Sequence, residues 1–247
     1  MYKIIADMHT HTLASTHAYS TLTEMVDAAR DKGLYAIAVT DHARKMPGSP
    51  REWYFGSLYQ IPLMYHDVKT VMGIEANVVD FNGSLDIEYD DYKNLDWVVA
   101  SIHEIPGIEL DNPTVEKTTN LWLNVAKNPL VNVIAHSGSP RYEYDYEKVI
   151  PEFGRNHKLV EINSHTFDVR AANVPYCKII AETCMKYNVP IIVNSDAHFQ
   201  TEIGNVQKAL ELLESINFPE ELIVNSSVER LNDYLDKFSR IKENRKN

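Results

Sequence analysis

Cysteine is nearly absent, with two in 247 residues. Cys177 and Cys184 lie in a helical pattern that would hold their Cα atoms about 10 Å apart, too far for a disulfide. A disulfide-stapled scaffold and a thiolate zinc finger are therefore excluded, and a reducing, cytoplasmic compartment is expected. No stretch approaches the roughly 20 apolar residues of a membrane span. The opening MYKIIADMHTH has one lysine and a short apolar stretch before Asp7, so a secretory leader is not expected. Positive charge is also scarce: 24 Lys+Arg against 35 Asp+Glu give a net −11. Such a field repels polyanions and disfavours stable nucleic-acid binding or a membrane-surface role. No G-x-G-x-x-G or Walker-type loop follows the first apolar run, which removes the main support for a dinucleotide or P-loop site. No repeat, low-complexity tract or Pro/Gly/Ser linker divides the chain. Residues 1–247 are read as one domain ending in a frayed polar tail, Lys242 to Asn247.

What is present is alternation. Seven short apolar runs rich in β-branched residues read as strands: Lys3 to Ala6, Tyr35 to Thr40, Val71 to Ile74, Trp97 to Ile102, Asn132 to Ala135, Leu159 to Ile162 and Pro190 to Val193. Helical spacing fills the gaps. The clearest stripe is Leu22, Met25, Val26 and Ala29, opened by a Thr21/Glu24 capping box and closed at Gly33. Others are Tyr176, Ile179 and Ile180; Val206, Ala209, Leu210 and Leu213; and Val228, Leu231, Leu235 and Phe238. Ser49 to His66 reads as helical after Pro50, and Asn77 to Asp91 as an excursion turning at Asn82-Gly83. Strands apolar on both faces and alternating with helices predict an α/β fold with a parallel sheet, either open or closed into a barrel.

Ten histidines are the unusual entry in the composition. Parallel α/β folds place their chemistry just past the C-terminal strand ends, and that is where the histidines fall. His9 and His11 follow the first run, His42 the second, Glu75 the third, His103 the fourth, His136 the fifth, and Asp196 and His198 the seventh. The sixth ends in Asn163 and then His165. The H-x-H and D-x-H pairs each put two donors on one face of an extended segment, roughly 6.7 Å apart at Cα. With His17 from the loop before the first helix, seven imidazoles and two carboxylates form a donor set suited to zinc, iron or manganese. Nine donors exceed the three of a mononuclear catalytic site and point to two or three metals. His66 and His157 read as ordinary surface or loop histidines, and His165 stays open. Asp41 either orients an imidazole or caps its loop.

In order, His9-x-His11, His17, Asp41-His42, Gly73-Ile74-Glu75, His103, His136 and Ser195-Asp196-Ala197-His198 resemble the PHP (polymerase and histidinol phosphatase) family, and within it the YcdX-type bacterial phosphatases. The resemblance spans essentially the whole chain. It implies a distorted seven-stranded (βα)7 TIM-like barrel, the PHP fold, with a trinuclear zinc-type centre at its C-terminal mouth. His9, His11, Glu75 and Asp196 would hold one metal, Glu75, His103 and His136 a second, and His17, His42 and His198 the third. Three Zn²⁺ per chain are expected, with Mn²⁺ or Fe²⁺ as alternatives, and Glu75, Asp196 and His198 are the candidate catalytic residues. Ala43 stands where many relatives continue D-H-G, and Asn194 where they have glycine; neither change removes a ligand.

Three dications against two carboxylates would leave the mouth at about +4 within an acidic protein, a trap for phosphate. A metal-bound water with its pKa lowered towards about 7 can attack phosphorus in line. Arg141 and Arg170, past the fifth and sixth runs, are the candidate phosphate guanidiniums. The expected activity is hydrolysis of phosphoric monoesters of small molecules. Rival readings are an amidohydrolase-type enzyme cleaving C–N bonds, a PHP phosphodiesterase or exonuclease, and a non-catalytic metal-dependent regulatory module. His17, His42 and the third-run Glu75 argue against the amidohydrolase, the net −11 against the nuclease, and the complete ligand set against the regulatory module. The expected partner is a small phosphorylated substrate, and homo-oligomerisation stays open.

Overall fold

A computed structural model describes residues 2–87 and 94–244. Its strands are β1 (Ala6–Thr10), β2 (Ala36–Val39), β3 (Met64–Tyr65), β4 (Val68–Asn77), β5 (Trp97–Ser101), β6 (Val133–Ile134), β7 (Leu159–Asn163) and β8 (Ile191–Asn194). The main helices between and after them are α1 (Leu22–Asp31), α2 (Glu52–Gly56), α3 (Val115–Lys127), α4 (Tyr146–Arg155), α5 (Thr166–Val169), α6 (Val174–Tyr187), α7 (Gln207–Ser215) and α8 (Val228–Phe238). Seven strands run parallel in the order β1-β2-β4-β5-β6-β7-β8, and β3 pairs antiparallel with β4. With helices between them they make a nearly closed α/β barrel. Among the described residues no helix is long and apolar enough to cross a membrane.

Strand alternation sorts the side chains into layers. One face packs outward against the helices, as with Met72, Ile74, Val98, Ile134 and Val160. The other fills the lumen, where Met8, Val71, Trp97, Val133, Leu159 and Ile192 pack together. Trp97 crosses that lumen, its Nε1–H donating to the Met8 carbonyl at 3.1 Å. Gly73 makes room for it, since a Cβ there would lie 2.4 Å from the Trp97 carbonyl oxygen. Leu231, Tyr234 and Leu235 of α8 close the lower end of this apolar layer. Further along β4, β7 and β8 the inward position is polar: Val71 leads through Gly73 to Glu75, Leu159 to Glu161, and Ile192 to Asn194. The barrel is thus greasy below and polar at its mouth.

The seam between β8 and β1 is laced by side chains instead of a continuous ladder. Asn225 Nδ2 donates to the carbonyls of Ala6 and Val193, at 2.8 and 2.6 Å, while its Oδ1 accepts from Val193 N–H at 3.1 Å. Higher up, Asn194 Oδ1 accepts from Met8 N–H at 2.9 Å, and Asp7 accepts from Ser195 N–H at 3.1 Å. A parallel bridge between Thr10 and Ala197 ends the seam.

Several local expectations shift. The first strand begins at Ala6 and not Lys3, because β2 pairs with the chain from Ala6 onward while Ile5 N–H bonds the Asn225 carbonyl. Its register slips between Asp7 and Thr10. Ser49 to His66 is not one helix: α2 gives way to a 3₁₀ turn, Leu58–Gln60, and then to β3. Only Phe55 and Leu58 are buried there, and Pro62 stops any continuation. His66 accordingly sits in the β3–β4 turn with φ 49°, hydrogen-bonded to Asp27. In α6 the buried face is Cys177, Ile180, Ala181 and Cys184, leaving Ile179 outside. Val228 of α8 is likewise exposed. The capping box of α1 forms as read, and Val78 pairs antiparallel with Leu85 around Gly83, whose φ of 78° suits only glycine readily. The end of that excursion, 88–91, and of the polar tail, 245–247, lie outside the described residues.

Asn225→Ala would strip two buried carbonyls and one buried N–H of their partner. It should lower the unfolding free energy by about 3 kcal/mol, read as a fall in Tm of roughly 6–12 °C by calorimetry; a fall under 2 °C on that scale would show that the seam does not depend on this side chain.

Candidate metal centre

The register slip in β1 builds the centre's floor. Met8 points into the lumen, and in a regular strand His9 would then point outward. Instead His9 Nδ1 reaches Glu161, inside the barrel on β7, at 2.8 Å. An irregularity that re-aims one side chain is a known use of β-bulges near functional sites. His11 then stands beside Asp196, its Nε2 3.1 Å from Oδ1. The backbone at His136 and Asp196 has φ of 28° and 56°, a left-handed conformation that non-glycine residues adopt at a cost, and both side chains turn into the mouth.

Glu75, 1% exposed, stands at the middle of the group. Its Oε1 lies 3.5 Å from His9 Nε2, 3.5 Å from His103 Nε2 and 3.1 Å from His136 Nε2. Its Oε2 lies 2.8 Å from His42 Nδ1 and 3.5 Å from His11 Nε2. His17 Nε2 faces His42 Nε2 at 3.2 Å, and the His17 ring stacks on those of His42 and His198. All nine predicted donors therefore meet at one mouth. Three groups have donor atoms close enough together to hold an ion: His9, His11 and Asp196; His11, His42 and His198; and His42, Glu75 and His103. His17 and His136 stand beside these groups without completing one.

Hydrogen bonds on the far side of the rings decide which nitrogen is offered. His9 Nδ1–H donates to Glu161, His103 Nδ1–H to Asn77 Oδ1 at 2.7 Å, and His198 Nδ1–H to the Asp196 carbonyl at 2.8 Å. Each leaves Nε2 as the free lone pair, the usual role of such outer partners around metals. The nitrogens His9 Nε2, His11 Nδ1, His42 Nδ1 and His198 Nε2 and the oxygen Glu75 Oε2 are buried with no hydrogen-bond partner. Orphaned polar atoms cost about 1–3 kcal/mol each, and a cluster of them at one point fits divalent cations.

Electrostatics agrees with that donor set at His11, His17, His103, Glu75 and Asp196. Burial, with the His42 charge next, holds His11 well below the ordinary imidazole pKa. Burial first, then His42 and His198, lowers His17 to about 4; burial, then His136, His42 and Arg170, outweighs Glu75 and lowers His103 to about 3. These rings are neutral donors at pH 7. Burial by itself would raise Glu75 and Asp196, but the surrounding imidazoles outweigh it and keep both carboxylates ionised. Burial opposes a charge on His9 as well, yet Glu161, Asp196 and Glu75 together hold its pKa well above the usual value.

Glu161 escaped the sequence reading, which looked past strand ends and not inside them. The signal was there: one carboxylate in the apolar run Leu159-Val160-Glu161-Ile162-Asn163. Its Oε1 accepts from His9 Nδ1 and Asn194 Nδ2, and its Oε2 from His136 N–H and Asn163 Nδ2, at 2.8 to 3.1 Å. Asp41 caps its loop instead of touching an imidazole. It accepts from Thr12 N–H, Thr12 Oγ1, Ser15 Oγ and Tyr54 OH, and Ser15 Oγ in turn accepts from His42 N–H. His165 lines the mouth with its ring 6.0 Å from that of His198, while His157 stacks on Phe238, away from the cluster. Arg170 lines the mouth. Arg141 does not; it pairs with Glu104 on the exposed rim.

A parallel barrel with imidazoles and carboxylates converging at its C-terminal mouth defines the class of metal-dependent β/α-barrel hydrolases. The PHP domain matches residues 7–165 and the PHP-associated family residues 176–222. The chain belongs to the PHP family. It is 40% identical over 233 residues to a probable phosphatase of Acetivibrio thermocellus, covering 94% of this chain and 95% of that one. A probable phosphatase of Clostridium novyi is also 40% identical, over 245 residues and 98% of each chain. Among solved structures, the fold is similar to that of histidinol phosphate phosphatase from Lactococcus lactis, solved with zinc, L-histidinol and phosphate. The TM-score is 0.59 at 19% identity, over 87% of this chain and 94% of that one. A chain of archaeal ribonuclease P shares the fold at TM-score 0.56 and 10% identity, over 94% and 90% of the two chains.

Glutamine at position 161 would turn an NH₂ towards two donors that now meet an oxygen. Glu161→Gln should weaken metal affinity by about 10- to 100-fold, measured by competition with a chromogenic chelator, although residue 161 is not itself a predicted ligand; an unchanged affinity would remove Glu161 from the centre.

Proposed function

We propose that this chain hydrolyses phosphoric monoesters of small molecules at a trinuclear metal centre. It is a metal-dependent phosphatase of the PHP family, and relatives described as probable phosphatases match it along nearly their whole length. The observation that carries the reading is the set of orphaned imidazole and carboxylate atoms at one mouth, in three overlapping groups. Nine donors exceed what one ion takes and support three, zinc first and Mn²⁺ or Fe²⁺ after it, because the donors are nitrogen and carboxylate with no thiolate. His9, His11, Glu75 and Asp196, then Glu75, His103 and His136, then His17, His42 and His198 are the sets assigned. When bound, such ions supply positive charge for the phosphate and make water acidic enough to be a nucleophile near neutral pH.

The residues do the rest. Glu75 aims one carboxylate oxygen at His11 and the other at His136, and so is placed to bridge two ions. Asp196 orients its own neighbour, since its carbonyl holds the His198 ring with Nε2 towards the mouth. Glu75, Asp196 and His198 are on this basis the catalytic residues assigned. Arg170 is the phosphate ligand: it lines the mouth, and its buried Nη1 has no partner. Arg141 is the weaker of the two, because Glu104 already neutralises it. The chain acts as one domain, for β8 lies in the PHP-associated segment yet closes the barrel onto β1. A cytoplasmic location suits the two free, buried cysteines. The chain's −11 charge speaks against a polyanionic substrate.

Protein loaded with Zn²⁺ or Mn²⁺ should hydrolyse p-nitrophenyl phosphate and lose that activity on chelation, and His103→Ala should lower kcat/KM by on the order of 100-fold or more. Elemental analysis should find three ions per chain. One or two ions with C–N hydrolysis would favour the amidohydrolase, and metal-replete protein inert towards every monoester would end the phosphatase reading.

A further inference from the structure

A second cavity, of about 390 Å³, adjoins the mouth and shares His103 and Arg170 with it. It reaches the metal centre from the His103/His136 side, since both of these rings line it. Resting on the phosphatase reading, we infer that this cavity holds the leaving alcohol of the substrate, and that the alcohol is an uncharged polyhydroxylated ring, as in a sugar phosphate. A phosphate held at the His103–Arg170 junction would face the ions on one side and direct its ester oxygen into this cavity on the other.

The lining selects the class. Ile102 and Tyr142 give it an apolar wall, backed by the fully buried Trp122, and Ser137, Ser139 and Asn173 give it a polar one. An aromatic ring that covers C–H faces, opposite hydroxyl and amide groups that meet hydroxyls, suits a carbohydrate ring. The charges exclude the main competitor. Among the described lining residues Glu104 is the one carboxylate, and Arg141 engages it at the rim, while Arg170 adds an unpaired guanidinium nitrogen. An ammonium-bearing alcohol would therefore enter a cavity with a cation on its wall and no free anion. The space takes one small metabolite and no polymer.

The test compares glucose 6-phosphate, O-phosphoethanolamine and p-nitrophenyl phosphate on the metal-loaded, full-length protein. Glucose 6-phosphate should exceed O-phosphoethanolamine in kcat/KM by at least about tenfold. Ser139→Trp and Asn173→Trp, at partly exposed wall positions, should fill the cavity. Each should raise KM for glucose 6-phosphate by about tenfold or more with metal content as in the unsubstituted protein. Equal or reversed preference, or an unmoved KM in both variants, overturns the inference while hydrolysis of p-nitrophenyl phosphate leaves the phosphatase reading standing. Failure of all three esters with the unsubstituted protein overturns both.

Discussion

The structure depends on keeping three carboxylates ionised where bulk water barely reaches them. Glu75, Asp196 and Glu161 are all at most 3% exposed. A buried carboxylate is tolerated only when donors or cations surround it. Glu161 meets this with four donors and lies beneath the metal donors, joining β1, β6, β7 and β8 through His9, His136, Asn163 and Asn194. Glu75 and Asp196 have imidazoles about them, and Glu75 Oε2 has no hydrogen-bond partner, a setting that favours cations. The same arrangement thus stabilises the top of the barrel below and leaves it reactive above.

This constraint explains features that look like imperfections. A strand that slips register in β1, left-handed residues at His136 and Asp196, and a seam without a full ladder would each cost stability in an idealised barrel. The first two turn an imidazole or carboxylate inward that regular geometry would send outward or along the sheet. The lower lumen bears the compensation, with Trp97 across the centre and α8 closing the end. Stability and chemistry occupy opposite ends of one barrel, as parallel β/α barrels generally allow.

The sequence was legible wherever periodicity or chain position carried the message. The seven apolar runs became the seven parallel strands, and every predicted donor past a run reached the mouth. It was less legible where a side chain's direction depends on a partner far away in the chain. His66 looked helical because the apolar spacing of Ser49 to His66 gives no sign of a hairpin. Glu161 went unnoticed because an acid within an apolar run acquires meaning only when His9, 152 residues away, bonds to it. Arg141 and Arg170 were equivalent by position, and Glu104 separates them.

Composition, spacing and order by themselves determined the α/β class, the nitrogen and carboxylate donor set and the acidic field that turns long polyanions away. These are local or additive properties, and no folding is needed to count them. Tertiary structure alone decided which ring nitrogen each histidine offers, which arginine is free, and that a second cavity opens beside the donors. Those are set by contacts between residues brought together only when the barrel closes, and a hydrogen bond or a cavity wall exists only once both of its sides are in place.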